Sequence, residues 1–455
     1  MPKGFLKHTR QSITESLSKL RQSIVSRVIA NKDHFFRGIL VGILISILVT
    51  AASLLGYLKP HENFVSDLLQ SAVRKKAENV ALVFITEHEY KEGFQGISPL
   101  SRKRLADIVD VLTKLRARVI ALDIDLSDST TDDQYLLSAF DRASASGVSV
   151  VVIGSLKNDD SKTAASERAG SGTLPYRDEN LMFTNEGHIL FDHFDPGDTW
   201  RNIGRHSGVV FQLDRDGVFR KAEALYIIDK NKRGTGNSPF LIPSLPVAMA
   251  AAYLGVNEEY LTLALSNPVG GLITLNPAND RYHRVQLRIG ADGRITPNFI
   301  GNYRSFEHTV NVAGLLDDYG PGKPTGMTVF RDKIVLIGGV YDDKDFYMTP
   351  LGRMSGMEII ANITQSIISE TLISHMNFYK AFIVEILLGT IVSLIFVLTT
   401  RFKATIICFI TVIPAVAVAS VISFASLYYW YDFIPTIAGV VIHGWYKKVE
   451  VHRQV

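Results

Sequence analysis

Hydrophobic positions along this chain fall into two kinds of run. Long uncharged runs fit a bilayer, and short runs between polar clusters fit a folded domain. The first long run, Gly38 to Leu58, is roughly 21 residues without a charge, enough to span. From Lys59 to His375 no run is long and apolar enough to do so. Three more follow: Phe378 to Thr399, Thr405 to Ser426, and Phe433 to Trp445 with its flanks. The pattern predicts about four transmembrane helices, one before and three after a large domain. The expected segments are a basic N-terminal segment (1–37), a first span (38–58), the domain (59–375), three spans (376–446) and a tail (447–455).

Inside the domain the period changes. Phe64 to Glu78 reads as a short amphipathic helix. NVALVFIT (Asn79 to Thr86), RVIALDID (Arg118 to Asp125) and VSVVVIG (Val148 to Gly154) read as strands. Between them, Ser101 to Leu115 carries Leu105, Ile108, Leu112 and Leu115 at helical spacing, with Ser101 as N-cap, and Thr131 to Ala145 is a second helix. Strand, helix, strand, helix, strand argues an α/β fold with a mixed, mainly parallel sheet flanked by helices. Lys157 to Asn180 reads as an exposed polar loop. Ser207 to Ile228 reads as a hairpin around Asp214, Arg215, Asp216 and Gly217. Pro243 to Leu254 reads as a helix, and Leu272 to Phe299 as strands of open pairing.

The stretch from Arg331 to Arg401 orders the rest. KIVLIGG reads as a buried strand that closes the sheet. An Asp-, Gly- and Pro-rich loop follows, and then a helix from Gly356 to Ile373 with Met357, Ile360, Ile363 and Ile367 on one face. That helix is expected to run almost unbroken into the apolar stretch at Phe378, a mechanical link from loop to membrane.

Charge orients the chain. Residues Met1 to Arg37 are basic, with Ile13, Leu17, Leu20, Ile24 and Val28 at helical spacing. They read as a solvated tail or as a surface helix on anionic lipid. Arg401 and Lys403 sit in one turn, and Lys447, Lys448 and Arg453 follow the last run. The positive-inside rule places these segments in the cytoplasm and the domain, with the aromatic turn at Tyr428 to Tyr431, on the other side. A net charge of +3 implies no nucleic-acid partner. The single cysteine, Cys408, lies in an apolar run, so the domain has neither disulfides nor a CxxC-type metal site.

The segments VALVFITEHEY, SPLSRKRLADIVDVLTKLRARVIALDIDL, DRDGVFRKAEALY, PSLPVAMAAAYLG, NFIGNY and KIVLIGGVYDDKDFYMTPLGRMSGMEIIANITQSII occur in an order that resembles bacterial membrane proteins with a CHASE2 extracytoplasmic sensor domain. Three spans after the domain match the family's layout. The resemblance implies an inner-membrane sensor. The chain departs from the family at Thr86, Ser98-Pro99 and Ile360, where members often show Asp, Trp-Pro and His. Members usually continue into a cytoplasmic kinase or cyclase domain. This sequence resembles a sensor without one, so output falls to a partner protein. The other open reading is a docking subunit of an envelope assembly.

The candidate chemistry is acidic. Asp123, Asp125 and Asp128 cluster at a strand's C-terminal end, with Arg102 and Arg104 on the preceding helix to neutralise them. Asp342, Asp343 and Asp345 follow Gly338-Gly339 at another strand end. In open α/β sheets that edge takes ligands, although solvated turns and helix caps use the same residues. The candidate ligand residues are Arg102, Asp123, Asp125, Asp342 and Asp345. A sensor should show an enclosed polar pocket near Asp123 and Asp345, and a scaffold a broad apolar face. His193, Asp195, Asp198 and His206 match no metal-ligand spacing. No phosphate-loop, HExxH or GxSxG motif occurs, so neither enzyme activity nor a cofactor is expected. Glu385 lies about seven residues into the second span, on the order of 10 Å deep, where it is either functional or paired near the interface. Gly38, Gly42, Ser46 and Thr50 form a small-residue stripe for close helix packing. The expected partners are membrane lipid and a protein, in a homo-oligomer or hetero-complex.

Overall fold

The computed structural model describes residues 32–72, 76–157, 182–183, 189–191, 193–200, 204–228, 240–266, 272–277, 283–290, 293–320, 323, 329–341 and 345–453. The basic N-terminal segment and the polar loop predicted over Lys157 to Asn180 lie almost wholly outside the described residues. The chain divides into two compact units, Met1–Ser66 with His375–Val455, and Asp67–Ser374.

The principal elements run in chain order as follows. Helices α1 (Lys32–Leu54) and α2 (Lys59–Ala72) come first, then strand β1 (Val80–Ile85). Next are α3 (Arg102–Lys114), β2 (Val119–Asp123), α4 (Asp133–Ala145), β3 (Ser149–Ile153) and β4 (Arg205–Ser207). Strands β5 (Leu225–Ile228) and β6 (Phe240–Pro243) precede α5 (Leu245–Leu254) and α6 (Glu258–Ser266). Then come β7 (Thr309–Asn311), α7 (Val312–Tyr319), β8 (Ile334–Gly339), the hairpin of β9 (Phe346–Thr349) and β10 (Gly352–Ser355), and α8 (Gly356–Ile368). Last are α9 (Phe378–Leu398), α10 (Arg401–Leu427) and α11 (Ile434–Arg453).

The Asp67–Ser374 unit is built on a six-stranded sheet in the order β7-β1-β8-β2-β3-β4, with every pairing parallel. The predicted α/β class holds, with smaller antiparallel ladders beside the main sheet. Both faces are covered, which is why the strands read as continuous apolar runs. Val80, Leu82, Val119, Ala121, Ile334 and Leu336 point to a core shared with α5 and α8. Val83, Ile85, Ile120, Leu122, Val335 and Ile337 point to a second core shared with α3, α4 and α7. In α8, Met357, Ile359, Ile360, Ile363 and Ile367 are each no more than 2% exposed, and burial of such a side chain stabilises by about 1.5–3 kcal/mol.

Three expectations are corrected here. KIVLIGG does not close the sheet at an edge. Its strand β8 lies in the middle, between β1 and β2. The turn at Asp214–Gly217 forms, with Gly217 N–H on the Asp214 carbonyl at 2.9 Å, but it does not join a hairpin. Strand β4 belongs to the main sheet, whereas β5 pairs with β6. The turn serves Arg220 instead: Asp214 and Asp216 take its Nη1 at 3.1 and 2.8 Å, and Asp67 on α2 takes Nε and Nη2 at 2.9 and 2.8 Å. Burial opposes that charge, but the aspartate hydrogen bonds outweigh it and raise the guanidinium pKa. Finally, α8 does not run on toward the membrane segment. It stops at Ile368, Glu370 adopts φ 52°, and Ile373 bridges to Thr296 before α9 begins at Phe378.

In the other unit, three helical segments among the described residues are long and apolar enough to cross a membrane: Phe36–Leu54, Phe378–Leu398 and Arg401–Leu427. That is one fewer than the four predicted. The fourth run is helical, as α11, but Lys447, Lys448, Glu450 and Arg453 occupy its last turns. Its apolar part extends only about 20 Å at helical rise, against a hydrocarbon core of about 30 Å. The stripe Gly38, Gly42 and Ser46 faces α9 of the same chain. A Cβ on Gly42 would collide with Ser393 Oγ, Ser46 Oγ donates to the Glu385 carbonyl at 3.0 Å, and Ser393 Oγ donates to the Gly38 carbonyl at 2.9 Å. In α10 a wide π turn at Cys408–Val412 precedes Pro414. The proline lacks an N–H and its ring crowds the carbonyl four residues back, which opens the turn there.

Candidate functional site

The route of the chain makes a topological switch point between β8 and β2. After β2 it turns toward the face covered by α4, and after β8 it turns toward the face covered by α8. Neighbouring parallel strands whose connections leave to opposite faces part at their carboxyl ends, and open sheets bind ligands there. Asp123 is the last residue of β2 and pairs in register with Gly338 of β8.

Two predicted residues converge at this point. Asp123 shares a face with Val119 and Ala121 and so points to the α8 side. A Cβ on Gly338 would lie 3.3 Å from the Asp123 Cβ and 3.0 Å from Met357 Sδ, so glycine leaves space for that carboxyl. Asp345 arrives just before the β9–β10 hairpin, and its backbone carbonyl accepts from Gly356 N–H at 3.0 Å. The Asp345 carboxylate sits over the start of α8, where a Cβ on Gly356 would meet both its oxygens at 2.6 Å. Burial, with the Asp345 charge adding to it, pushes the Asp123 carboxyl up to about 7. Burial also lifts Asp345, to about 6, although the Tyr347 hydroxyl and Gly356 N–H both donate to it and hold it lower. Burial and the Asp345 charge raise the Tyr347 phenol well above its ordinary value. All three side chains are half-buried. Around neutral pH the pair can therefore hold or release a proton while remaining reachable by solvent.

The helix beneath is held with care. Ser355 caps α8 in a capping box: its Oγ accepts from Glu358 N–H at 3.3 Å, and Glu358 Oε2 accepts from Ser355 N–H at 2.7 Å. Glu358 Oε1 also accepts from Tyr303 N–H at 2.7 Å. One turn on, Asn362 Oδ1 accepts from Ile300 N–H at 2.7 Å, and its Nδ2 donates to the Gly301 carbonyl at 2.8 Å. Ser366 Oγ donates to the Asn298 carbonyl at 3.0 Å. A polar row on a buried helix thus satisfies the backbone of the NFIGNY segment, which is why α8 is covered on every side. Beside the switch point, Tyr341 stacks on Tyr90 with ring centroids 4.2 Å apart.

The remaining predicted residues lie apart from the pair. Asp125 is exposed, and its Oδ1 accepts from Ser127 N–H at 2.9 Å within its own loop. Arg102 meets the loop after β2 and, among the described residues, makes no hydrogen bond to the Asp123–Asp345 pair. It is buried, with Nε 3.2 Å from Asp133 Oδ1 and Nη2 donating to the Asp128 carbonyl at 2.9 Å. Asp342 and Asp343 lie outside the described residues. Glu385 is buried in the helical unit, where its Oε1 accepts from Tyr431 at 2.6 Å and from Thr436 at 2.9 Å. Among the described residues no group of three metal-ligating side chains occurs. A cavity of about 480 Å³ opens beside Arg205 and Phe240 rather than at the Asp123–Asp345 edge.

Sequence reasoning missed Tyr347 and the Ser355–Glu358 cap. The S-x-x-E signature before an apolar run was there to be read as a helix start. Nothing local marked Tyr347, whose role depends on a hairpin folding Phe346 against Ser355.

Against known proteins, the chain matches the family model of the CHASE2 domain over residues 42–398. No curated protein and no solved structure matches it.

Proposed function

The chain belongs to the CHASE2 family of sensory extracellular domains, and from that premise we propose that it is a membrane-anchored receiver of an extracytoplasmic signal. On this reading it lies in a bacterial inner membrane with the Asp67–Ser374 unit on the outer side, and it acts through a partner protein rather than by catalysis. The observation that carries the reading is the Asp123–Asp345 pair: two half-buried carboxyls poised around neutral pH at the switch point between β2 and β8. A group there senses what reaches that point and sits directly on the cap of α8. The chain order supports attachment, since apolar helices precede and follow the domain.

Two measurements test it. Asp125 is exposed and Cys408 is buried, so Asp125→Cys gives one reactive thiol. A membrane-impermeant maleimide should label it in intact spheroplasts, and labelling only after lysis overturns the orientation. Detergent-solubilised protein should co-purify with a kinase or nucleotide cyclase. Recovery with only an envelope structural component would replace reception with docking.

A further inference from the structure

The cavity of about 480 Å³ lies in the Asp67–Ser374 unit, in a region that the acidic pair does not use. Its volume is in the range of small-molecule sites. One wall is the edge strand β4, placed by Arg205 pairing in register with Val151 and His206 with Val152. A second wall is β6, with Phe240, Leu241 and Ile242. The floor is Ala248 of α5, and the rim is Glu258, Leu261 and Thr262 of α6. Phe194 completes the apolar side, with its ring 6.3 Å from that of His206.

The chemistry of the walls is lopsided. Most of the lining is aliphatic or aromatic, and the permanent cation in it is Arg205. Arg205 Nη1 is buried and has no hydrogen-bond partner among the described residues. A buried guanidinium N–H left without an acceptor costs free energy, and a rotation of the side chain toward the cavity it lines would let a ligand oxygen meet it. Burial lowers the Arg205 pKa, and the Glu258 charge offsets this only in part. A planar guanidinium with a vacant donor is matched best by a carboxylate.

We propose that this cavity binds a small organic carboxylate with an apolar body, its carboxylate on Arg205 and its body against Phe240, Leu241 and Phe194. The proposal goes beyond the receptor reading, because it adds a ligand site apart from the Asp123–Asp345 pair. Binding itself needs no partner.

The test is thermal unfolding of the full chain in detergent with 3-phenylpropionate, with 3-phenylpropionamide and without ligand. A ligand that binds only the folded state raises the melting temperature with its concentration. The acid should raise it and the neutral amide should not. Arg205→Met should weaken binding of the acid at least about tenfold, the scale of losing one charge-assisted contact. In case that variant fails to fold, Thr262→Trp fills the cavity from its exposed rim while keeping Arg205 in the sequence, and should also abolish the shift. No shift with millimolar acid, an equal shift with the amide, or an unchanged shift in the rim variant would overturn the proposal. None of these outcomes depends on the co-purification result.

Discussion

At Asp123 a carboxyl occupies a face whose other β2 side chains, Val119 and Ala121, are fully buried. The unfolded chain titrates such a group near 3.8, and folding lifts it to about 7, chiefly by burial and then by the Asp345 charge. The folded domain therefore holds this proton more tightly than the unfolded chain. The resulting stability is complete below about pH 4 and is lost as pH rises toward 7. Asp345, raised to about 6, acts in the same direction. Asp123→Asn keeps the shape and removes the ionisation. It should raise the melting temperature more at pH 8 than at pH 5, a difference of about 1–3 kcal/mol after allowing for half-burial. Thermal unfolding across pH 5 to 8 reads this out. A wild-type melting temperature that stays flat over that range would refute it.

Among the elements, α8 shows what a local pattern reveals and what it hides. Its apolar spacing was legible because Met357, Ile360, Ile363 and Ile367 repeat with the helical period. Its stop was not legible. The chain leaves the helix through Glu370 at positive φ, with no glycine or proline to mark the end. The Asp214–Gly217 turn was legible from its residues, but its purpose was not. Gripping Arg220 and, through it, Asp67 is a contact over 153 positions in sequence. Of the candidate site, Asp123 and Asp345 stood out as strand-end carboxylates. The ion pair of Arg102 with Asp133 was not legible, because it follows from how α3 and α4 pack. The start of α8 also yields a prediction. Gly356→Ala should destabilise by about 1–2 kcal/mol, because the new methyl must displace a hydrogen-bonded carboxylate, even though alanine favours helix. Asp345→Ala removes the obstacle, so the double variant should lose less stability than the two single losses summed, as a double-mutant cycle would show.

At the scale of the whole molecule, strand order matters more than strand identity. Every strand of the main sheet except the short β4 and β7 was visible as an apolar run. That β8 inserts between β1 and β2 is a property of long-range pairing, which no window of sequence contains. The number of membrane helices was overread for a simpler reason: α11 is apolar for too little of its length. The sheet order predicts a pattern of hydrogen exchange. Amides of β8, hydrogen-bonded between two parallel neighbours, should exchange only with global unfolding, and those of the edge strands β4 and β7 much sooner. Fast exchange at Leu336 would show that the sheet opens through its middle.

The position of β8 also constrains biosynthesis. A ribosome delivers β1 and β2 more than 200 residues before the strand that joins them. Until Gly339 emerges, the nascent domain carries two unmated strand edges, which invite aggregation or proteolysis. Chains ended before Gly339 should therefore aggregate or be degraded, since the sheet lacks its central strand.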